Sequence, residues 1–387
     1  MPVTQSAPAA REALPDRVRG IALLGIVVVN AAYLGISADG FTAESVDGVG
    51  NRFTALVVVA LAQGKFYLLF SFLFGYSASF ILRDQSPPNR RRYLRRMGAL
   101  FLFGLAHAVF FFVGDILITY AILGLLLLSV SRASDRALRI WTIASIALSV
   151  FFILTVSALL AAFPDEGSGL EGLETALATG TFAEATLARL DALPTVLLSV
   201  FFLQGPMAFA AFILGLRASR RRLLANPADH LDLWRTVSRW GWGIGLPLQV
   251  LAAGLQIGAV AAGTSYSFAG AAGLALGFIT APILAAGYLG SIALLLARRP
   301  TALAFLAPAG RMSLTVYIGE SALLSIVFSA YGIGYFGQWG ALAVVATAIA
   351  SWVVLSVFAW IWMRRFTKGP LENVLALMTG KGSPASG

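Results

Sequence analysis

The chain has 387 residues, 58% of them hydrophobic and 12% charged, with a mean hydropathy of +0.83. Too few polar residues exist to cover the surface of a water-soluble protein of this size, so lipid is the expected solvent. A net charge of +10 would suit nucleic acid, but the arginines stand beside the ends of apolar stretches instead of tracking one stripe, which points to anionic lipid headgroups and excludes nucleic acid. The absence of cysteine excludes disulfides, thiolate metal sites and a cysteine nucleophile, and two histidines argue against a histidine-rich centre, so no metal is expected.

In chain order, apolar spans run over 20–37, 53–82, 97–113, 116–130, 138–162, 194–216, 238–262, 268–297, 312–331 and 339–363. They predict an all-α integral membrane protein, a single bundle of about ten transmembrane helices over 19–365. A cytoplasmic segment, 1–18, precedes it. The first span follows a basic start, but so many further spans follow that it is read as a retained helix and not a cleaved signal. As one helix, 53–82 would measure about 45 Å against a hydrocarbon core of about 30 Å. It must therefore tilt, bend near Gly64, or begin with a separate piece over 53–62. The stretch 97–130 lies almost unbroken between two arginine clusters and predicts a tight hairpin turning at Gly114-Asp115, with two short arms. Over 163–193, Leu170, Leu173 and Leu177, then Leu187 and Leu190, recur at helical spacing and predict short helices capping one face. Pro370 suits a first helical position, and Leu371, Val374, Leu375 and Met378 share a side, which predicts an interfacial helix and tail over 366–387. No tandem repeat is found.

Charge sets the expected orientation. All but three of the 28 lysines and arginines, the exceptions being Arg52, Lys65 and Arg189, fall in alternate connections. These are Arg11 to Arg19, Arg83 to Arg96, Arg132 to Arg139, Arg217 to Arg239, Arg298 to Arg311 and Arg364 to Lys381. The other connections carry Asp39, Glu44, Asp47, Asp165, Glu166, Glu171, Glu174, Glu184 and Asp191. The positive-inside rule then puts both termini in the cytoplasm and 163–193 outside.

Ionisable groups at membrane depth are costly unless paired or placed in a wet cavity. Counting about 1.5 Å per residue from the cytoplasmic ends places Asn30, His107 and Glu320 about 12–15 Å deep, Gln204 and Gln249 about 16–18 Å, and Lys65 and Asp115 about 25 Å. The first three are expected to share one polar layer, and Lys65 and Asp115 are expected to form an ion pair. Each has a plainer reading. Asp115 can be a helix N-cap, Lys65 can reach the outer interface, and His107, beside Ala106, Ala108 and Gly104, can bond across a close helix contact. Asn30, Gln204 and Gln249 can hold helices together.

Several motifs recur together along nearly the whole chain: Asp16-Arg-Val-Arg-Gly with Asn30, Lys65-Phe-Tyr-Leu-Leu-Phe, Gly104-Leu-Ala-His with Gly114-Asp, Gly310-Arg-Met-Ser-Leu-Thr-Val-Tyr, and Gly369-Pro-Leu-Glu. Their order and spread resemble the YeiB-like family of bacterial multipass membrane proteins, domain of unknown function 418. That family is distantly similar to a superfamily of transmembrane acyltransferases, including the lysosomal heparan glucosaminide acetyltransferase and bacterial sugar O-acyltransferases. In the bacterial sugar enzymes a histidine acts as general base about eleven residues after the arginine of an Arg-Gly pair. Counted from Arg19, that position is Asn30. The heparan enzyme's histidine precedes the second helix, where this chain has Asn51-Arg52-Phe53. The chain departs from both, and His107 is its intramembrane imidazole.

The resemblance implies transfer of an acyl group from acyl-CoA to a hydroxyl or amine of an envelope glycan, lipid or secreted metabolite, in the bacterial cytoplasmic (inner) membrane. His107, oriented by Asp115 or another carboxylate, is the expected base. Asn30, Lys65, Glu320, Gln204, Gln249 and Tyr317 are the expected substrate-binding groups, and Arg91, Arg92, Arg221 and Arg222 the expected partners of the coenzyme phosphates. Membrane lipids and a small-molecule or glycolipid substrate are the expected partners, and a homodimer is compatible with the reading. The alternatives are a transporter or flippase using the same buried groups, and a non-catalytic scaffold in which they only hold helices together.

Overall fold

Hydrocarbon offers peptide groups no hydrogen bonds, so a chain this apolar satisfies its backbone within helices. A computed structural model describes residues 12–84, 86–163 and 169–380. The expectations placed on residues 1–11, on Asp165 and Glu166, and on the tail 381–387 lie outside the described residues.

Among the described residues the chain forms α-helices and no strand. They are α1 (Ala13–Gly35), α2 (Val49–Leu61), α3 (Phe66–Leu82), α4 (Pro87–Phe110), α5 (Leu117–Val130), α6 (Asp135–Ala162), α7 (Glu171–Thr179), α8 (Phe182–Arg220), α9 (Leu231–Trp240), α10 (Leu246–Ala261), α11 (Phe268–Arg298), α12 (Ala307–Arg311), α13 (Ser313–Phe328), α14 (Ala341–Trp362) and α15 (Pro370–Met378). Seven segments are long and apolar enough to cross a membrane: α1, α2 with α3, α6, α8, 227–261, α11 and α14. An eighth is made if α12 and α13, which meet at a bend of 82°, form one span.

The two remaining apolar stretches are α4 and α5. They form the expected hairpin, turning over 111–116. At about 1.5 Å per residue α5 is roughly 21 Å long, shorter than a bilayer core, so the turn is held inside the protein. Of the three outcomes open to the long second stretch, the structure shows a break between α2 and α3. Gly64 has φ +81°, a conformation that glycine adopts without a Cβ penalty.

Residue 163–193 differs from expectation. Leu170, Leu173 and Leu177 are buried, and α7 covers one end of the bundle as predicted. Leu187 and Leu190 are exposed, and their segment is no separate helix. It is the first part of the 39-residue α8, started by a Thr181–Glu184 capping box. Ala185, Arg189 and Ala192 face inward there instead, because small residues let α8 approach its neighbours closely.

The two ends are chemically distinct. At the arginine-rich end Arg17 donates to Pro300 O at 2.6 Å and Arg220 to Ser131 O at 2.7 Å, tying α1 and α8 to distant turns. At the acid-rich end Ala330 N donates to Leu177 O at 2.8 Å and Gly337 N to Gly35 O at 3.0 Å. Between them the outward sides of α6 and α14 are apolar, with Ile143, Phe151, Leu154, Val354, Val357 and Ile361 exposed. That belt is what lipid would cover.

Candidate functional site

The hairpin turn carries the strongest cluster of chemistry. Asp115 lies just before α5, where four backbone N–H groups have no partner within the helix. Its Oδ1 accepts from Ile118 N at 2.9 Å, which caps α5. Its Oδ2 accepts from His107 Nδ1–H at 2.8 Å. The carboxylate therefore both caps a helix and orients an imidazole. Gly104, one turn before His107, is what admits it: a β-carbon there would stand 2.6 Å from Asp115 Oδ1 and 2.8 Å from Ile118 N.

His107 is 1% exposed. Its ring lies among Phe111, Phe112 and Tyr317, with the Tyr317 ring centroid 4.8 Å away. Tyr317 donates to Asp115 Oδ2 at 3.4 Å, so the structure makes it a partner of the carboxylate. His107 Nε2 is buried and has no hydrogen-bond partner among the described residues. One turn along α13 from Tyr317, both carboxyl oxygens of Glu320 are likewise buried and unpartnered. Residues three apart on a helix share a side, so Glu320 continues the polar edge begun by Tyr317.

Lys65 and Gln249 are engaged elsewhere. Lys65 does not pair with Asp115. It is fully buried, and its Nζ donates to Val59 O at 2.8 Å, a carbonyl in the last turn of α2. Equal depth misleads here because Lys65 sits at a helix break and its flexible stem folds back, placing a cation at the negative end of α2. Tyr288 completes the cap by donating to Leu61 O at 2.9 Å. Gln249 joins α10 to α11 through Gly277 O (2.8 Å) and Thr280 Oγ1 (2.7 Å), so it is interhelical glue. Asn30 and Gln204 are half-buried, and no side-chain hydrogen bond holds either among the described residues.

The four arginines expected on the coenzyme phosphates are also divided. Arg91 and Arg92 line a cavity of about 440 Å³ at the arginine-rich end, together with Arg95, Asn89 and the end of α15. Arg221 instead pairs with Asp135 at 3.6 Å, and Arg222 has φ +54° in the turn after α8.

Sequence reasoning missed Arg189. It is 2% exposed, and it donates to Phe110 O (3.3 Å), Ser325 Oγ (3.3 Å) and Tyr331 OH (3.0 Å). A guanidinium is thus buried over the end of the helix that carries His107. The signal was available: a lone arginine in an acid-rich connection, flanked by Ala185, Ala188 and Ala192 at helical spacing.

The first, fourth and last of the quoted motifs meet in space. A β-carbon on Gly20 would stand 2.5 Å from Leu306 O, and one on Gly310 would stand 1.7 Å from Asp16 O. The start of α1 and α12 thus meet backbone to backbone. Glu372, from the last motif, accepts from Leu314 N (2.8 Å), Thr315 N (3.1 Å) and Thr315 Oγ1 (2.6 Å). The C-terminal helix therefore caps the start of α13, where a free interfacial helix would have left Glu372 in water.

The chain is similar to several known proteins. The family described as "Protein of unknown function (DUF418)" matches residues 218–381. The uncharacterized protein YxaH of Bacillus subtilis (strain 168) is 30% identical over 92% of this chain and 91% of its own length. The uncharacterized protein YeiB of Escherichia coli (strain K12) is 26% identical over 92% of this chain and 93% of its own. No solved structure matches. With 30% identity maintained across nearly the full length of both chains, this protein belongs to the YeiB-like DUF418 family.

Proposed function

We propose that the protein is an integral membrane acyltransferase, moving an acyl group from acyl-CoA to a hydroxyl or amine of an envelope glycan, lipid or secreted metabolite. We place it in the bacterial cytoplasmic membrane with the arginine-rich end inside. The reading is carried by one observation: His107 Nδ1–H is held by Asp115 at 2.8 Å while Nε2 is unpartnered. That hydrogen bond selects the tautomer whose Nε2 lone pair can take a proton.

In this reading Nε2 removes the proton from the acceptor O–H or N–H as its oxygen or nitrogen attacks the thioester carbonyl. Collapse of the tetrahedral intermediate breaks the C–S bond, and the coenzyme sulfur leaves with the proton returned by the imidazolium. The cavity lined by Arg91, Arg92 and Arg95 supports a place for the coenzyme phosphates on the cytoplasmic side. Substrates reach Nε2 by displacing the rings of Phe111, Phe112 or Tyr317 that enclose it.

The test is acyl transfer or hydrolysis from acyl-CoA by the purified protein. His107→Ala and His107→Gln should each lower the rate by ~10²-fold or more with the fold retained, because the amide keeps hydrogen bonding but is no base near neutral pH. Full activity in both variants removes His107 from the mechanism. Failure to bind any acyl-CoA removes the acyltransferase reading. A second reading, proton-coupled transport, is favoured by Glu320, whose buried carboxyl has no partner among the described residues. Substrate-driven proton movement in reconstituted vesicles, abolished in Glu320→Gln, would support that reading in place of the first.

A further inference from the structure

A second cavity, of about 340 Å³, lies at the acid-rich end, and none of the residues expected at a functional site lines it. Its wall is built from the last turns of α1 and α2, the loop after α1, and the α10–α11 connection. Glu174 fastens that loop, accepting from Ser37 Oγ (2.5 Å) and Ala38 N (2.8 Å). The Tyr33 ring rests on Gly40, where φ is +97° and a β-carbon would stand 3.3 Å from the ring. Tyr266 closes the other side, its phenol beside the Asp39 carboxylate. Burial, with Asp39 next, pushes the Tyr266 phenol up to about 12, so it remains a proton donor at neutral pH.

The lining is selective in sign. Asp39 is its acid, Glu174 stands just behind, and no lysine or arginine is among the lining residues described. Three aromatic residues, Tyr33, Phe41 and Tyr266, share the wall with two amides, Gln63 and Gln256. We propose that this cavity binds a small organic ammonium ion arriving from solution at the acid-rich end. The carboxylate compensates the charge, aromatic faces attract a cation held against them, and the amide oxygens accept from N–H or O–H donors on the same molecule. A zwitterionic lipid headgroup would set its phosphate against Asp39 and Glu174, and no lysine or arginine is among the described lining residues. The volume falls at the lower end of the range for small-molecule sites, roughly 300–1,000 Å³. The inference does not rest on acyl transfer, and its test reads neither His107 nor turnover.

Because the chain has no cysteine, Ser265→Cys at the rim gives a single thiol. The purified full-length variant is treated with a trimethylammonium-bearing and a sulfonate-bearing methanethiosulfonate of similar size, each rate divided by its rate with a free thiol. The cationic reagent should react faster by on the order of 10-fold, since a cleft of one sign concentrates counter-ions. Asp39→Asn should collapse that preference, and added choline or ethanolamine should slow the cationic reagent. Slowing by choline alone would assign recognition to the aromatic faces, and slowing by ethanolamine alone to hydrogen bonds with the carboxylate and amides. Equal rates for the two reagents in the Ser265→Cys parent, or no protection by either amine, would overturn the proposal.

Discussion

Gly104 and Glu320 show how single side chains set the candidate site. A methyl group at residue 104 would overlap Asp115 Oδ1 and crowd Ile118 N, two atoms of one capped turn. Gly104→Ala should therefore break the His107–Asp115 contact and the cap together, destabilising the protein by about 1–3 kcal/mol, as overpacking in a close-packed interior does. Thermal unfolding in detergent checks the stability, and an unchanged midpoint would show that the turn relaxes freely. Glu320 has the opposite character. A buried carboxyl without partners costs stability wherever it serves no function. Glu320→Leu should raise the unfolding midpoint while impairing activity, the signature of a residue retained at the expense of stability. A lower midpoint in that variant would mean that Glu320 is paired in the folded protein.

At the scale of elements, breaks in helices are stabilised by side chains from elsewhere. The end of α2 is capped by Lys65 and Tyr288, the start of α13 by Glu372, and the end of α4 by Arg189. The last of these matters most for the site, because Phe110 is three residues beyond His107. A cation at a helix C-terminus meets the free carbonyls and the negative end of the helix dipole. Arg189→Leu leaves Phe110 O without its side-chain donor and Ser325 and Tyr331 with each other alone, and should destabilise by about 1–3 kcal/mol. Arg189→Lys should recover only part of this, since an ammonium lacks the fork that reaches α4, α13 and Tyr331 at once. Denaturant titration of the two variants measures both effects, and equal stability to the parent would deny the tie.

For the whole molecule, the arginine-rich and acid-rich ends make orientation testable without any knowledge of activity. Ala178 is exposed on α7 at the acid-rich end, and Asp232 is exposed on α9 near the other. Ala178→Cys should react with an impermeant thiol reagent in intact cells, and Asp232→Cys only after permeabilisation, if the basic connections face the cytoplasm. The reverse pattern would invert the protein and move the 340 Å³ cavity to the cytoplasmic side.

Composition and apolar periodicity alone determined the class, a helical membrane protein with the hairpin over 97–130, because hydrocarbon leaves the backbone so few choices, while the break at Gly64 was one of three open outcomes for 53–82. The contact of His107 with Asp115 was legible only in part, beside a Lys65–Asp115 pair that the structure does not form; eight residues separate His107 and Asp115 across one tight turn, so local geometry decides their contact. Depth counting did not transfer to Lys65, since a depth says nothing of direction around a helix axis, and the side chain turned back to its own chain. For the same reason Asn30, Gln249 and Glu320, similar in depth, fall into different environments. Arg189, Glu372 and the Asp39 cavity depend on contacts across tens to hundreds of residues. Only the packing of the helices against one another brings those partners together, and no spacing along the chain encodes them.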